Sequence, residues 1–144
     1  MIAIDTNVLL RYLLQDDLPQ SKKAVKIISG TKNILVTDVV LIETLWTLQG
    51  KKYRLKKDDL LLVIQQLFVE SNLQFEDGQT VWRALNLYRN AVPVRGEAKK
   101  RHADFADALI YEKSIYLANK LGESYGGFYT FDTAAQQFPE VLIP

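Results

Sequence analysis

The chain has 144 residues, about one compact domain's worth. With 48% hydrophobic and 24% charged residues, its composition argues against intrinsic disorder. Lys and Arg total 18 against 17 Asp and Glu, a net charge of +1, which excludes a histone-like polycation and an acidic tail protein but not a local patch of either sign.

The sequence has no cysteine and one histidine. Disulfide frameworks, thiolate zinc sites, iron–sulfur clusters and cysteine nucleophiles are therefore excluded, and a His-rich zinc site is disfavoured. Any metal would be held mainly by oxygen, which points to magnesium or manganese. Met1 runs straight into Ile2-Ala3-Ile4 with no basic leader, and no apolar run approaches the roughly 20 residues of a membrane span. A soluble, cytoplasmic chain with no membrane partner is expected.

No repeat, low-complexity tract or linker divides residues 1–144, so one domain is expected. Short apolar runs alternate with amphipathic stretches, which predicts an α/β fold with a mostly parallel sheet covered by helices. Ile2-Ala3-Ile4 reads as a buried first strand, ended by Asp5-Thr6-Asn7 before a short helix near Val8–Leu14. Pro19–Ser29 reads as a helix stopped by Gly30, and Ile34-Leu35-Val36 as the next strand. Thr37 or Asp38 caps a helix over Val39–Gln49. A basic turn with Lys51, Lys52, Arg54, Lys56 and Lys57 leads into the apolar helix Asp58–Glu70.

Leu73-Gln74-Phe75 reads as a strand and Gly78–Asn90 as a helix. A basic loop precedes the helix Asp104–Leu121, which Gly122 ends. Phe128–Phe131 is a strand, Asp132–Gln137 a short helix, and Val141-Leu142-Ile143 an edge strand. The helices Val39–Gln49 and Asp58–Glu70 are apolar on more than one side. Leu41, Leu45, Trp46 and Leu48 are expected to face Leu60, Leu61, Leu62, Ile64, Leu67 and Phe68. Deep burial explains this, and so does an oligomer or partner surface.

Five acids are placed informatively. Asp5 and Asp132 each directly follow an expected strand, and in open parallel sheets ligands gather beyond the strands' carboxyl ends, where strand order reverses. Asp104 and Asp107 open a helix at i, i+3, nearly one face. Glu43 sits among Leu41, Ile42, Thr44 and Leu45, where a buried carboxylate is costly unless paired or metal-bound. Acids converging in one cleft would repel one another without a divalent cation. Each also has a plainer reading: Asp5, Asp104 and Asp132 as helix caps, Asp107 as a favourable charge in a first turn, and Glu43 reaching solvent or an arginine.

The opening Met1-Ile2-Ala3-Ile4-Asp5-Thr6-Asn7-Val8-Leu9 resembles that of PIN-domain ribonucleases, in particular the VapC-type toxins of toxin–antitoxin pairs. The resemblance continues through Glu43, Asp104-Phe105-Ala106-Asp107-Ala108-Leu109-Ile110 and Thr130-Phe131-Asp132. It implies a Rossmann-like three-layer α/β/α sandwich with a mostly parallel central sheet. It also implies an acidic quartet binding Mg2+ or Mn2+, for which Asp5, Glu43, Asp107 and Asp132 are the matching positions. Asp107 is preferred to Asp104 because the family acid directly precedes the Ala-Leu-Ile run; Asp104 becomes an auxiliary acid or cap. Thr6, Asn7 and Thr130 match polar residues beside the acids, where capping is compatible with orienting ligands or waters.

The activity implied is endoribonuclease cleavage by metal-activated water. The implied partners are an RNA substrate, a small cognate antitoxin and a second copy in a homodimer. Because a carboxylate cleft repels phosphate, the RNA must be held elsewhere. Arg95, Lys99, Lys100 and Arg101, just before Asp104, are the favoured grip; a solvated loop is the plainer reading, and His102 is read as a loop residue. Four other readings are weaker. A haloacid-dehalogenase-type phosphatase needs a second Asp where Asn7 stands, and a receiver domain needs an acceptor Asp at a central strand's end. A catalytically silent RNA-binding module has no reason to retain mutually repelling acids. An RNA-processing nuclease that is not a toxin keeps the same chemistry.

Overall fold

In the computed structural model, which describes residues 1–96 and 98–144, the chain divides into two compact units, Met1–Gly78 and Gln79–Pro144. The first unit is built on three parallel strands, β1 (Ile2–Ala3), β2 (Ile34–Val36) and β3 (Leu73–Phe75), lying side by side in chain order. Ile34 is in register with both Ile2 and Leu73. Only the central strand β2 is an aliphatic run with no exposed residue, as suits a strand covered on both faces, while Ala3 of β1 and Gln74 of β3 are exposed. Because they are parallel, Asp5, Thr37 and Glu76 all follow the carboxyl edge of the same sheet. No reversal of strand order occurs among β1, β2 and β3, so Asp5 does not owe its place to a switch point in that sheet.

Four helices complete the unit: α1 (Thr6–Leu14), α2 (Leu18–Ile28), α3 (Asp38–Gln49) and α4 (Lys57–Val69). Their starts are set by side chains that satisfy the free N–H groups of the first turn. Asp5 accepts from the Val8 N–H at 2.9 Å, Asp17 from Gln20 at 3.0 Å and Thr37 from Val40 at 3.4 Å. For this reason α1 begins at Thr6 rather than Val8, and α2 at Leu18 rather than Pro19. The Asp59 carboxylate reaches back to the Lys56 N–H at 3.1 Å, so α4 starts one residue earlier than the expected Asp58.

Leu9, Ile28, Ile34, Val36, Leu41, Leu48, Leu60, Ile64 and Leu67 are essentially fully buried. On the apolar pair α3 and α4, Leu41, Leu45 and Leu48 are thus core, as are Leu60, Ile64 and Leu67. Trp46 and Leu62 are not: they are 55% and 65% exposed, because at 3.6 residues per turn they fall on the opposite side of their helices. One polar staple ties the loop before β2 to β3. The Asn72 side-chain amide donates to the carbonyls of Ile28, Gly30 and Lys32, at 2.6, 3.1 and 3.3 Å.

The second unit contains α5 from its second residue onward (the helix spans Gly78–Asn90), α6 (Phe105–Lys120), β4 (Phe128–Tyr129), a single 3-10 turn (Ala135–Gln137) and β5 (Val141–Leu142). Strands β4 and β5 pair in parallel, Phe128 with Val141 and Tyr129 with Leu142. Arg83 on α5 pairs with Glu112 on α6 at 3.1 Å. Tyr111 packs edge-on against Phe128 and tilted against Phe138. Gly122, at φ +75°, ends α6 in the left-handed conformation that glycine adopts without strain.

The expected strand Phe128–Phe131 shortens to two residues. The Thr130 N–H still bonds to Leu142 O at 3.2 Å, but its hydroxyl accepts from the Asp132 N–H at 3.0 Å and turns the chain out of the ladder. No helix among the described residues is long and apolar enough to cross a membrane.

Candidate active site

In the first unit, Asp5 ends the β1 segment and its carboxylate is fixed by the cap on α1. It remains exposed, so one oxygen serves the helix while the group as a whole stays open to solvent. Thr6 begins α1, and its hydroxyl donates to Glu43 Oε2 at 2.6 Å. Glu43, on α3, is exposed rather than buried in its apolar run: Leu41, Thr44 and Leu45 turn inward while Glu43 turns out. Burial cost therefore says nothing about it, and its partner is a threonine rather than an arginine. Asn7 is exposed beside them.

In the second unit, α6 begins with a reciprocal capping box. The Asp107 N–H donates to Asp104 Oδ1 at 2.9 Å, and the Asp104 N–H donates to Asp107 Oδ2 at 2.8 Å. Each acid is thus a structural cap. Even so, the pair carries unresolved charge. The Asp107 carboxyl is pushed up to about 6, chiefly by burial, against the lowering effect of the Asp104 N–H, and further by the neighbouring Asp104 and Asp132 carboxylates. Burial and the two neighbouring carboxylates both disfavour its ionised form.

Asp132 stands in an Asx-type turn. Its Oδ1 accepts from the Ala134 and Ala135 N–H groups, at 2.7 and 3.4 Å, and leads into the 3-10 turn rather than the helix expected over Asp132–Gln137. Thr130 is not a free side chain: its hydroxyl holds the Asp132 N–H and its carbonyl receives Gln136.

The basic loop is closed at its base. Val94 and Arg101 pair as an antiparallel bridge, exchanging two hydrogen bonds of 2.9 Å. Within it Gly96 approaches the Lys99 carbonyl so closely that a Cβ would stand 2.3 Å from the oxygen. Lys99, Lys100, Arg101 and His102 line a hollow of about 740 Å³ together with Ala98 and Asp132. Three cations and one acid thus share one concave surface. Arg95, exposed on the other arm, does not line it.

Sequence reasoning missed the residue that fixes this arrangement. The Gln137 amide accepts from the Val92 N–H at 2.8 Å and donates to the Val92 carbonyl at 3.0 Å, tying the foot of the basic hairpin to the turn that follows Asp132. One of two adjacent glutamines, Gln136 and Gln137, in a short helix carries no signal for such a pairing.

Among the described residues no group of three or more His, Asp or Glu side chains forms a ready-made cation cage. The acids stand in smaller sets inside each unit. Their chemistry nevertheless fits a hard divalent ion: every donor is a carboxylate or hydroxyl oxygen, and Asp107 sits in an excess of negative charge that a cation would relieve.

The family model described as PIN domain matches residues 2–137, a span that includes Asp5, Glu43, Asp107 and Asp132. No curated protein matches. Among solved structures, the crystal structure of Mycobacterium tuberculosis VapC20, a toxin described as cleaving the sarcin–ricin loop, is similar at 16% identity and a TM-score of 0.39, over 98% of each chain.

Proposed function

The chain belongs to the PIN-domain family, and we propose that it is a single PIN domain acting as a magnesium- or manganese-dependent endoribonuclease, the toxin of a type II toxin–antitoxin pair. The observation that carries this reading is the reach of the family match, from residue 2 to residue 137, across all four acids of the expected quartet.

In this reading Asp5, Glu43, Asp107 and Asp132 are the ligands. A divalent cation bound by them supplies charge neutralisation at the phosphate and activation of a water. The chain's own part is orientation. Thr6 holds the Glu43 carboxylate by the 2.6 Å bond. Asp104 presents Asp107 through their mutual caps, and the Ala134 and Ala135 N–H groups fix the rotamer of Asp132. Arg95, Lys99, Lys100 and Arg101 draw the RNA backbone toward the acids, a task that carboxylates alone oppose. The toxin role, the small antitoxin that silences it and the homodimer rest on the resemblance of Met1–Leu9 and the later acidic motifs to VapC-type toxins.

The test compares wild type with Asp5→Asn for RNA cleavage and for growth arrest on expression. Wild type is expected to cleave RNA in magnesium or manganese, to stop in excess EDTA and to arrest growth. Asp5→Asn keeps the cap acceptor and the fold but does neither. Cleavage that persists in EDTA, or equal arrest by both proteins, overturns the reading.

A further inference from the structure

Most of the arginines are committed inside the protein. Arg11 pairs with Asp16 and Arg83 with Glu112. Arg54 donates to the Lys51 carbonyl, and Arg89 to Asn86 Oδ1. Arg95 and Arg101 make no ion pair among the described residues. Of these two, only Arg101 lines the hollow that contains Asp132.

Arg101 is also held where it stands. Its backbone exchanges two hydrogen bonds of 2.9 Å with Val94, whereas Lys99 and Lys100 lie in the loop that this pair closes. Its side chain runs along Gly96: a Cβ built there would come within 3.2 Å of Arg101 Cγ and 3.5 Å of Nε. Glycine thus leaves the space that the arginine stem passes through, and less rotamer freedom remains for a ligand to freeze.

The charges of the hollow suit a phosphate beside an acid. Lys99, Lys100 and Arg101 share it with one carboxylate, Asp132, which leaves surplus positive charge. Asp132 Oδ1 is committed to the Ala134 and Ala135 N–H groups. Its charge is one of those that raise Asp107, so the hollow adjoins the acids of this unit. A lysine brings a mobile point charge to a phosphate, while an arginine brings two parallel N–H donors in a planar fork.

We propose that the basic residues of the hairpin divide their work, with Arg101 a catalytic residue on the reacting phosphate and Lys99 and Lys100 holding flanking linkages. The guanidinium fork donates to the non-bridging oxygens, which gain charge as the water oxygen bonds to phosphorus and the sugar oxygen departs. Arg101 stays protonated throughout and transfers neither a proton nor an electron pair. The inference rests on the nuclease reading and deepens it, separating a group that acts on rate from groups that act on affinity.

The test uses Arg101→Gln, Arg101→Lys and the double variant Lys99→Gln/Lys100→Gln, with folding checked by thermal melting. Two quantities are read in magnesium. One is the single-turnover cleavage rate at saturating enzyme; the other is affinity for phosphorothioate-protected single-stranded RNA against salt concentration. Arg101→Gln is expected to lower the saturated rate about 100-fold, the scale of losing one donor to a developing negative charge. Arg101→Lys keeps the charge and the salt dependence but stays about tenfold below wild type in saturated rate, because a point charge replaces the fork. The lysine double variant is expected to reduce the slope of log affinity against log salt by about 1.4, two phosphate contacts on a single strand.

A saturated rate equal to wild type in either Arg101 variant overturns the proposal and leaves the nuclease reading standing: affinity alone, or charge alone, then accounts for the residue. Should Arg101→Gln fail to fold, the rate of Arg101→Lys decides by the same criterion. Wild type that binds RNA but never cleaves it overturns the nuclease reading and the proposal together.

Discussion

Asp104 and Asp107 hold each other's backbone: each carboxylate accepts the other residue's N–H, at 2.9 and 2.8 Å. The contact that starts α6 therefore also keeps two acids side by side, and structure and charge pull in opposite directions at one place. The Asp107 carboxyl stands at about 6 where an unperturbed aspartate stands at 3.8. Between these values the folded chain keeps a proton that the unfolded chain has released, so stability falls as pH rises through this window. Without divalent cation the protein is expected to melt at a higher temperature near pH 4 than near pH 7. Magnesium or manganese should raise the melting temperature more at pH 8 than at pH 5. Asp107→Asn, which keeps the cap acceptor, should gain on the order of 1 kcal/mol at pH 8 and lose RNA cleavage. Thermal melts across pH, with and without metal, check each part.

Thr6 acts through Glu43. Removing its hydroxyl in Thr6→Val leaves the Glu43 carboxylate without the 2.6 Å bond that orients it. Metal affinity is expected to fall roughly 10- to 100-fold, the usual effect of losing a partner that orients a ligand, with stability nearly unchanged because the pair is exposed. Thr6→Ser should restore the affinity. Titration calorimetry with manganese reads both variants.

Asn72 is the opposite case, a residue with no catalytic part. Asn72→Ala removes the donor that serves three carbonyls in the loop before β2. A loss of about 1–3 kcal/mol is expected from leaving such groups unsatisfied. Urea denaturation measures it, and cleavage per folded molecule should be unchanged.

Gly96 governs the basic hairpin. Gly96→Ala would place a methyl group 2.3 Å from the Lys99 carbonyl, forcing apart the arms that Val94 and Arg101 join. The global melting temperature is expected to change little, since the segment is largely exposed, while RNA affinity falls severalfold. Binding measured beside a melting curve separates these outcomes.

Local pattern made much of the fold legible. Ile34–Val36, Leu73–Phe75 and Gly78–Asn90 form the elements that their apolar spacing predicts, with the same bounds. What pattern could not supply was pairing and orientation. Phe128–Phe131 has the composition of a longer strand, yet β5 offers only Val141 and Leu142 as partners, and Thr130 turns aside to hold Asp132. Trp46 reads as core by its type but lies on the outer side of α3. For the acids, the roles of cap and ligand are not exclusive. Asp5, Asp104, Asp107 and Asp132 all accept backbone N–H groups, and a cap that commits one oxygen leaves the other for a cation. Glu43 stands out in the sequence as a carboxylate in an apolar run, yet it is exposed, because Leu41, Thr44 and Leu45 are the residues that face inward.

The bidentate grip of Gln137 on Val92 has a mechanical consequence. It fixes the stride from the lysines and arginine of the hairpin to the Asp132 carboxylate, as a ruler fixes the gap between two marks. A polynucleotide spans only a limited distance from one phosphate to the next. In the nuclease reading, a single amide therefore sets which linkage lies over the acid once another is held by the hairpin. Loosening it by Gln137→Ala would blur the position of the cut before it slowed the cutting.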